Sequence, residues 1–287
     1  MALPQLDHLI LLLPYHLIKN PPPWLTSSFI ISPGGRHADG KTENKLIIFR
    51  DGTYIELIAF IDDLQEHREG HWWGDKKPGF IDFALTSLGE HTYSHDAINR
   101  RLAVLEGNGL RGVKYTAPVK GGRKNENGQD IEWLVTFPEG AKRGEVPFWC
   151  HDVTARTLRV PCDNAAYITH PCGAIGVSQV TILVPESKFA SFAAAYSGIT
   201  AQQALPGDGT TQFAIAAPEH VAGTEALKLC ARKTAHVREE VLDGERGGAI
   251  AEILIRTAIS GQGHSRDYIE EKVDGEVICI RFVHSGQ

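Results

Sequence analysis

The amino-acid sequence predicts an α+β protein assembled from repeated β-α-β-β-β modules. Three observations predict it. Short apolar stretches with two-residue alternation recur in groups, each opened by a strand and a helical stretch. Glycine-bearing turns, above all Asp51-Gly52, separate the strands of a group. Polar residues interrupt the apolar pattern at corresponding places in successive groups.

The first module, residues 1–62, opens with Leu6 to Leu13 (LDHLILLL), a buried strand that stops at Pro14. A short helical segment broken by Pro21, Pro22 and Pro23 leads to a strand at Ser28 to Ser32. A glycine turn follows at Gly34-Gly35. Lys45 to Arg50 and Thr53 to Phe60 then form a hairpin through Asp51-Gly52, a dipeptide that accepts positive φ. The second module, residues 78–153, runs from the strand Phe80 to Thr86 through a helix over Thr92 to Glu106, stopped by Gly107 and Gly109. Strands around Val113 to Pro118, Ile131 to Phe137 and Val146 to Val153 complete it. Residues 1–155 thus form one domain and 156–176, with Pro161 and Pro171, a linker. Residues 177–287 form a third module, from Val177 to Val184 through an alanine-rich helix to strands at Gln212 to Ala216, Ala226 to Ala231 and Ala249 to Thr257. A polar insert around Ala235 to Leu242 and one extra strand, Glu276 to Val283, belong to this part.

Composition narrows the function. A net charge of −6 with acids and bases interspersed gives no footprint for nucleic acid and no basic membrane patch. The one basic cluster, Lys120 to Lys124 (KGGRK), reads as an exposed glycine-rich loop, since a phosphate loop requires GxxxxGK[ST]. The 5 cysteines contain no CxxC, which excludes a disulfide framework and a structural zinc site and points to a reducing, cytoplasmic setting. Leu9 to Leu13 is too short to span a bilayer. Neither Cys150-His151, on opposite faces of a strand, nor the GHS of Gly263 to Ser265 forms a nucleophilic site. Trp72 and Trp73 read as a lid or as a plug at the edge of the core.

The chemistry lies in the polar exceptions. His8 interrupts the opening strand of the first module and Glu56 its closing strand. Asp82 and His151 fall near those places in the second module, and Gln179 and Glu252 in the third. A single buried histidine is most often a hydrogen-bonded core residue. Recurrence argues for a cluster of nitrogen and oxygen donors suited to one divalent ion, Fe, Mn, Zn, Ni or Mg, which polarises a carbonyl or lowers the pKa of bound water.

The residues Asp7-His8, then Gly34-Gly35-Arg36-His37, Thr42, Asn44, Leu46, Gly52, Tyr54 and Glu56-Leu57-Ile58 resemble the signature of the glyoxalase-like branch of the vicinal oxygen chelate superfamily. The resemblance implies that paired β-α-β-β-β modules form curved mixed sheets enclosing a cleft, with a metal in the cleft and a small-molecule substrate that offers it adjacent oxygens. It implies His8 and Glu56 as ligands, completed by His151 from the second module or by Gln179 and Glu252 from the third. The second is preferred because consecutive units tend to neighbour in space. Glu56 or Asp82 would move a proton, Arg36 would anchor a carboxylate or phosphate, and His37 and Asn44 would border the substrate. A lyase, isomerase or hydrolase results, the first two favoured by the family. The rivals are a metal-free binding protein of the same fold and an iron dioxygenase using His8, His151 and Glu56. Modules pair within the chain or across a homodimer.

Overall fold

The computed structural model describes residues 2–87, 91–105, 112–125, 127–219, 225–231, 248–258 and 267–284. The polar insert around Ala235 to Leu242, the Gly263 to Ser265 stretch and the glycine stop at 107–109 lie outside them. The strands are, in chain order, β1 (Gln5–Leu12), β2 (Ser32–Arg36), β3 (Thr42–Ile48), β4 (Tyr54–Phe60), β5 (Gly79–Thr86), β6 (Lys114–Tyr115), β7 (Val119–Lys124), β8 (Asp130–Thr136), β9 (Pro138–Glu139) and β10 (Phe148–Asp152). The chain continues with β11 (Ala174–Val184), β12 (Leu205–Gly207), β13 (Thr210–Ile215), β14 (Glu225–Ala231), β15 (Ala249–Thr257), β16 (Tyr268–Val273) and β17 (Glu276–His284).

Eight strands form one sheet in the order β2-β3-β4-β1-β5-β10-β8-β7. Each half repeats one pattern: the opening strand (β1 or β5) pairs in parallel with the closing strand of its own unit (β4 or β10), and the two opening strands join antiparallel at the centre. The sheet curls until its edges touch. His37 bridges Arg123, and the Ala38 amide donates to the Gly122 carbonyl at 3.1 Å. Alternation then gives every strand an inner and an outer face. Leu9, Leu11, Ile55, Leu57, Phe83 and Leu85 point outward into the main core, whereas Ile10, Leu12, Ile58, Phe60, Ala84, Phe148 and Cys150 line the inside.

A second sheet runs β12-β13-β14-β11-β15-β17-β16. Its outward residues, among them Val180, Ile182, Leu229 and Ile253, share the main core with those of the first sheet. The helices His95–Leu105 and Phe189–Thr200 complete the junction, where Arg101 donates to the Gly198 carbonyl at 2.6 Å.

Several elements differ from the sequence reading. The glycine pair Gly34-Gly35 belongs to strand β2, because Asn44 takes the space that a side chain on Gly34 would need. The KGGRK cluster is strand β7, not a loop: a side chain on Gly121 would collide with the indole of Trp133 across the ladder. Ala249–Thr257 does not close the third unit. β14 does, in parallel with β11, and β15 pairs antiparallel with β11 as β5 does with β1. The stretch read as a linker carries two short helices, Arg156–Arg159 and Ala165–Ile168, and returns two arginines to the first sheet.

Candidate functional site

The inner face of the first unit gathers its polar residues into one place. The pairing of β1 with β5 skips Asp7, a bulge between Leu6 and His8 that lets consecutive residues both turn toward the interior end of the sheet. His8 lies opposite Tyr54 on β4 and stacks on its ring, with centroids 4.7 Å apart. Glu56, two residues beyond Tyr54, falls on the same face. Its Oε2 is 3.5 Å from His8 Nε2 and its Oε1 3.4 Å from His37 Nε2. Asn44 on β3 donates from Nδ2 to Glu56 Oε1 at 2.7 Å and accepts the Gly35 amide at 3.0 Å, which ties β2 to the carboxylate.

Both imidazoles are oriented through their other nitrogen. His8 Nδ1 meets Asp7 Oδ2 at 2.8 Å, and His37 Nδ1 meets Thr42 Oγ1 at 2.7 Å. Asp7 is held in turn by Arg156 and Arg159, and Arg159 also donates to the Tyr54 hydroxyl at 2.6 Å. Burial works to raise the Asp7 carboxyl, but Arg156, Arg159 and His8 together hold it well below the usual range. Burial works against ionisation of Glu56 as well. The hydrogen bond and charge of His37, the charge of His8 and the amide of Asn44 offset it and leave the Glu56 carboxyl at about 2.

His8, His37, Asn44, Tyr54 and Glu56 form the floor of a cavity of about 170 Å³. Its walls are aromatic: Trp72, Trp133, Phe137 and Phe148 line it together with Cys150, whose thiol burial pushes well up. Trp72 stacks tilted on Phe137 at 4.9 Å and remains 44% exposed, while Trp73 is buried.

Of the residues expected from the sequence, His8, Glu56, His37 and Asn44 meet in this cavity. The others do not. Asp82 is inside the sheet but fully buried beneath Trp73, whose Nε1 donates to it at 2.8 Å, and it is paired with Arg143; burial raises its carboxyl. A catalytic Asp82 therefore has no path to a ligand in the cavity. His151 points away from the cavity, stacked on Trp149 and 3.0 Å from Ser87 Oγ, because alternation along β10 turns Phe148 and Cys150 inward. By register the residues of the second unit that correspond to His8 and Glu56 are Ala84 and Cys150. Arg36 is on the rim of the barrel, 65% exposed and paired with Glu43 at 3.5 Å, and does not line the cavity. Gln179 and Glu252 belong to the second sheet, where Gln179 donates to Thr181 at 2.9 Å and Glu252 pairs with Arg281 at 2.7 Å. Glu252 faces Thr181 across the antiparallel pair, so it corresponds to Asp82 and not to Glu56.

Two lining arginines escape sequence reasoning. Arg159 lies in the supposed linker, and Arg123 in the supposed loop; only the ladder pairing of Arg123 with buried Ile131 identifies its inward face.

The donors present fit a divalent cation. Asp7 anchors His8 through Nδ1 and turns Nε2 toward Glu56 Oε2; in the imidazolium a proton lies between them, and in the neutral ring the Nε2 lone pair facing a carboxylate calls for a cation in its place. Asp7, His8 and Cys150 also offer ligand atoms within 4.8 Å of one another. Asp7 is already engaged by two guanidinium groups, which leaves His8 as the centre of either set.

No functionally curated protein matches the chain in sequence. Among solved structures it is similar to a hypothetical protein from Staphylococcus aureus, with a TM-score of 0.64, 13% identity, and coverage of 98% of this chain and 100% of the other. A 2,2',3-trihydroxybiphenyl 1,2-dioxygenase from Sphingomonas wittichii aligns at 10% identity and TM-score 0.44 over 98% of this chain and 91% of its own. A glyoxalase I mutant from Zea mays aligns at 15% identity and TM-score 0.27, over 88% and 74%. The model of the glyoxalase-like domain family matches residues 6–200, from the opening strand through the Phe189–Thr200 helix, and the chain belongs to that family.

Proposed function

We propose that the first sheet is the active domain of a divalent-metal-dependent enzyme that acts on a small molecule with adjacent oxygens, with residues 177–287 as a supporting body. The reading is carried by one observation: an ionised carboxylate, Glu56, buried on the floor of an aromatic cavity between two imidazoles whose far nitrogens are already held. A carboxylate so buried is expensive unless its neighbours or a ligand repay the desolvation.

In this reading His8 Nε2 and Glu56 hold the cation, which when bound would polarise the substrate oxygens. Asp7 fixes the tautomer and orientation of His8. Asn44 and His37 keep Glu56 Oε1 turned into the floor. With His37 engaged by Thr42 through Nδ1 and by Glu56 through Nε2, the group placed to take or return a proton at a carbon beside the oxygens is Glu56, through Oε2. That assignment favours a lyase or isomerase. The aromatic walls exclude water from the reacting atoms.

A specific observation supports one rival, a metal-free binding protein: the second unit contributes Ala84 and Cys150 where the first has His8 and Glu56. Metal analysis of protein purified without chelator separates them. The enzyme reading expects near-stoichiometric divalent metal that His8→Ala removes; absence of metal from correctly folded protein sinks it. Bound redox-active iron with oxygen uptake would instead support a dioxygenase built on His8, His37 and Glu56.

A further inference from the structure

The inner face carries a cation without a counter-ion. Arg123 is 8% exposed, lines the cavity and forms no ion pair among the described residues. Its one side-chain hydrogen bond among the described residues runs from Nη1 to the Gly34 carbonyl at 3.3 Å. The nearest carboxylate on the floor, Glu56, already has His8, His37 and Asn44 around it. One glycine makes room for the guanidinium: Gly35 lies beside the Arg123 side chain, where a side chain of its own would press on it. Lys120, by contrast, is paired with Glu132 at 2.6 Å and is exposed.

A buried guanidinium keeps its charge and calls for an anion that matches its planar donors. The aromatic walls beside it, Trp133, Phe137 and Phe148, call for a flat apolar body. The geometry points to Arg123 as the anchor of a substrate carboxylate, so that the cavity takes a small aromatic monoanion with its oxygens directed at His8 and Glu56. This rests on the reading of the cavity as a ligand site, but not on the presence of a metal.

The test uses the full-length protein with benzoate and its neutral isostere benzamide as probes, followed by tryptophan fluorescence and calorimetry. Wild-type protein is expected to bind benzoate about tenfold or more tightly than benzamide. Arg123→Gln should erase that preference while leaving benzamide affinity unchanged, and Arg123→Lys should keep part of it. Equal affinity for the two probes in the wild type, or no saturable binding of benzoate, overturns the assignment. So does equal weakening of both probes by Arg123→Gln, which is the outcome of a residue that merely closes the barrel at Gly34. The same measurement on His8→Ala distinguishes the two readings: the benzoate preference survives there if Arg123 holds the anion. If it disappears in His8→Ala and persists in Arg123→Gln, the anion sits on a cation at His8 and this proposal fails.

Discussion

Glu56 and Asp51 are buried carboxylates five residues apart in one β-hairpin unit, and they titrate at opposite ends of the acid range. Glu56, on the cavity floor, is held at about 2, although burial alone would raise it. Asp51, at the seam between the sheets, is pushed up to about 7, chiefly by burial. The donors make the difference. Glu56 has two imidazoles and an amide on its oxygens. Asp51 receives the amide and hydroxyl of Thr53 on Oδ1 alone, while Oδ2 has no hydrogen-bond partner among the described residues and is crowded by the backbone of Gly176. Burial is common to both regions, so an ionised carboxylate in the cavity reflects groups placed to keep it ionised.

The largest break in this comparison is Glu56→Gln, which keeps the shape and removes the charge. Divalent-cation affinity measured by calorimetry should fall by more than about 100-fold. Unchanged affinity would move the site to Asp7, His8 and Cys150.

The next concerns the seam. The folded-state pKa of Asp51 is raised from 3.8 to about 7, so the native state retains a proton that the unfolded chain releases. Its contribution to stability is therefore fully present below pH 4 and is lost as pH rises to about 7. Asp51→Asn preserves the Oδ1 acceptor for Thr53 and removes the titration. Denaturant unfolding should find the variant more stable at pH 8, by roughly 2–4 kcal/mol, and flat across that window. Glu56 has the opposite sign: its depressed pKa stabilises the fold above about pH 4.5, and that contribution is lost as pH falls toward 2.

Asn44→Ala tests what separates the two carboxylates. It strips one donor from Glu56 Oε1 and one acceptor from the Gly35 amide. The expected cost is about 1–3 kcal/mol by chemical denaturation, with the acid limb of the stability curve shifted to higher pH. A shift to lower pH would contradict the account of Glu56.

The legible part of the site is the part built by local sequence. His8, His37, Asn44 and Glu56 fall within one unit whose strands alternate cleanly, so their shared face follows from spacing. Motif position suggests His151 as a donor, whereas strand parity decides direction, and a one-residue offset on β10 exchanges His151 for Cys150. Arg123 is hidden by two glycines that resemble a loop and in fact sit in a strand, Gly121 against the Trp133 indole and Gly122 against the Ile131 carbonyl. The closing role given to Ala249–Thr257 failed for a similar reason: β15 has the right pattern for a closing strand, and only its antiparallel pairing with β11 shows that it opens another unit. The curled α+β architecture itself was readable because turns and periodicity recur in every unit.

The smallest expected effect bears most directly on how the two units differ. Cys150 stands where register would put the second unit's counterpart of Glu56, and its thiol is buried and pushed well up. A neutral thiol is a poor ligand, and its neighbour Asp7 is spent on Arg156 and Arg159. Cys150→Ser should then leave metal content unchanged and cost only about 1 kcal/mol, the price of a hydroxyl in that setting. Loss of metal from folded Cys150→Ser would mean that the second unit still supplies a ligand, through sulfur, and that the symmetry of the two units extends to their chemistry. Retention would mean that the first unit supplies the donors and the second shapes the cavity around them.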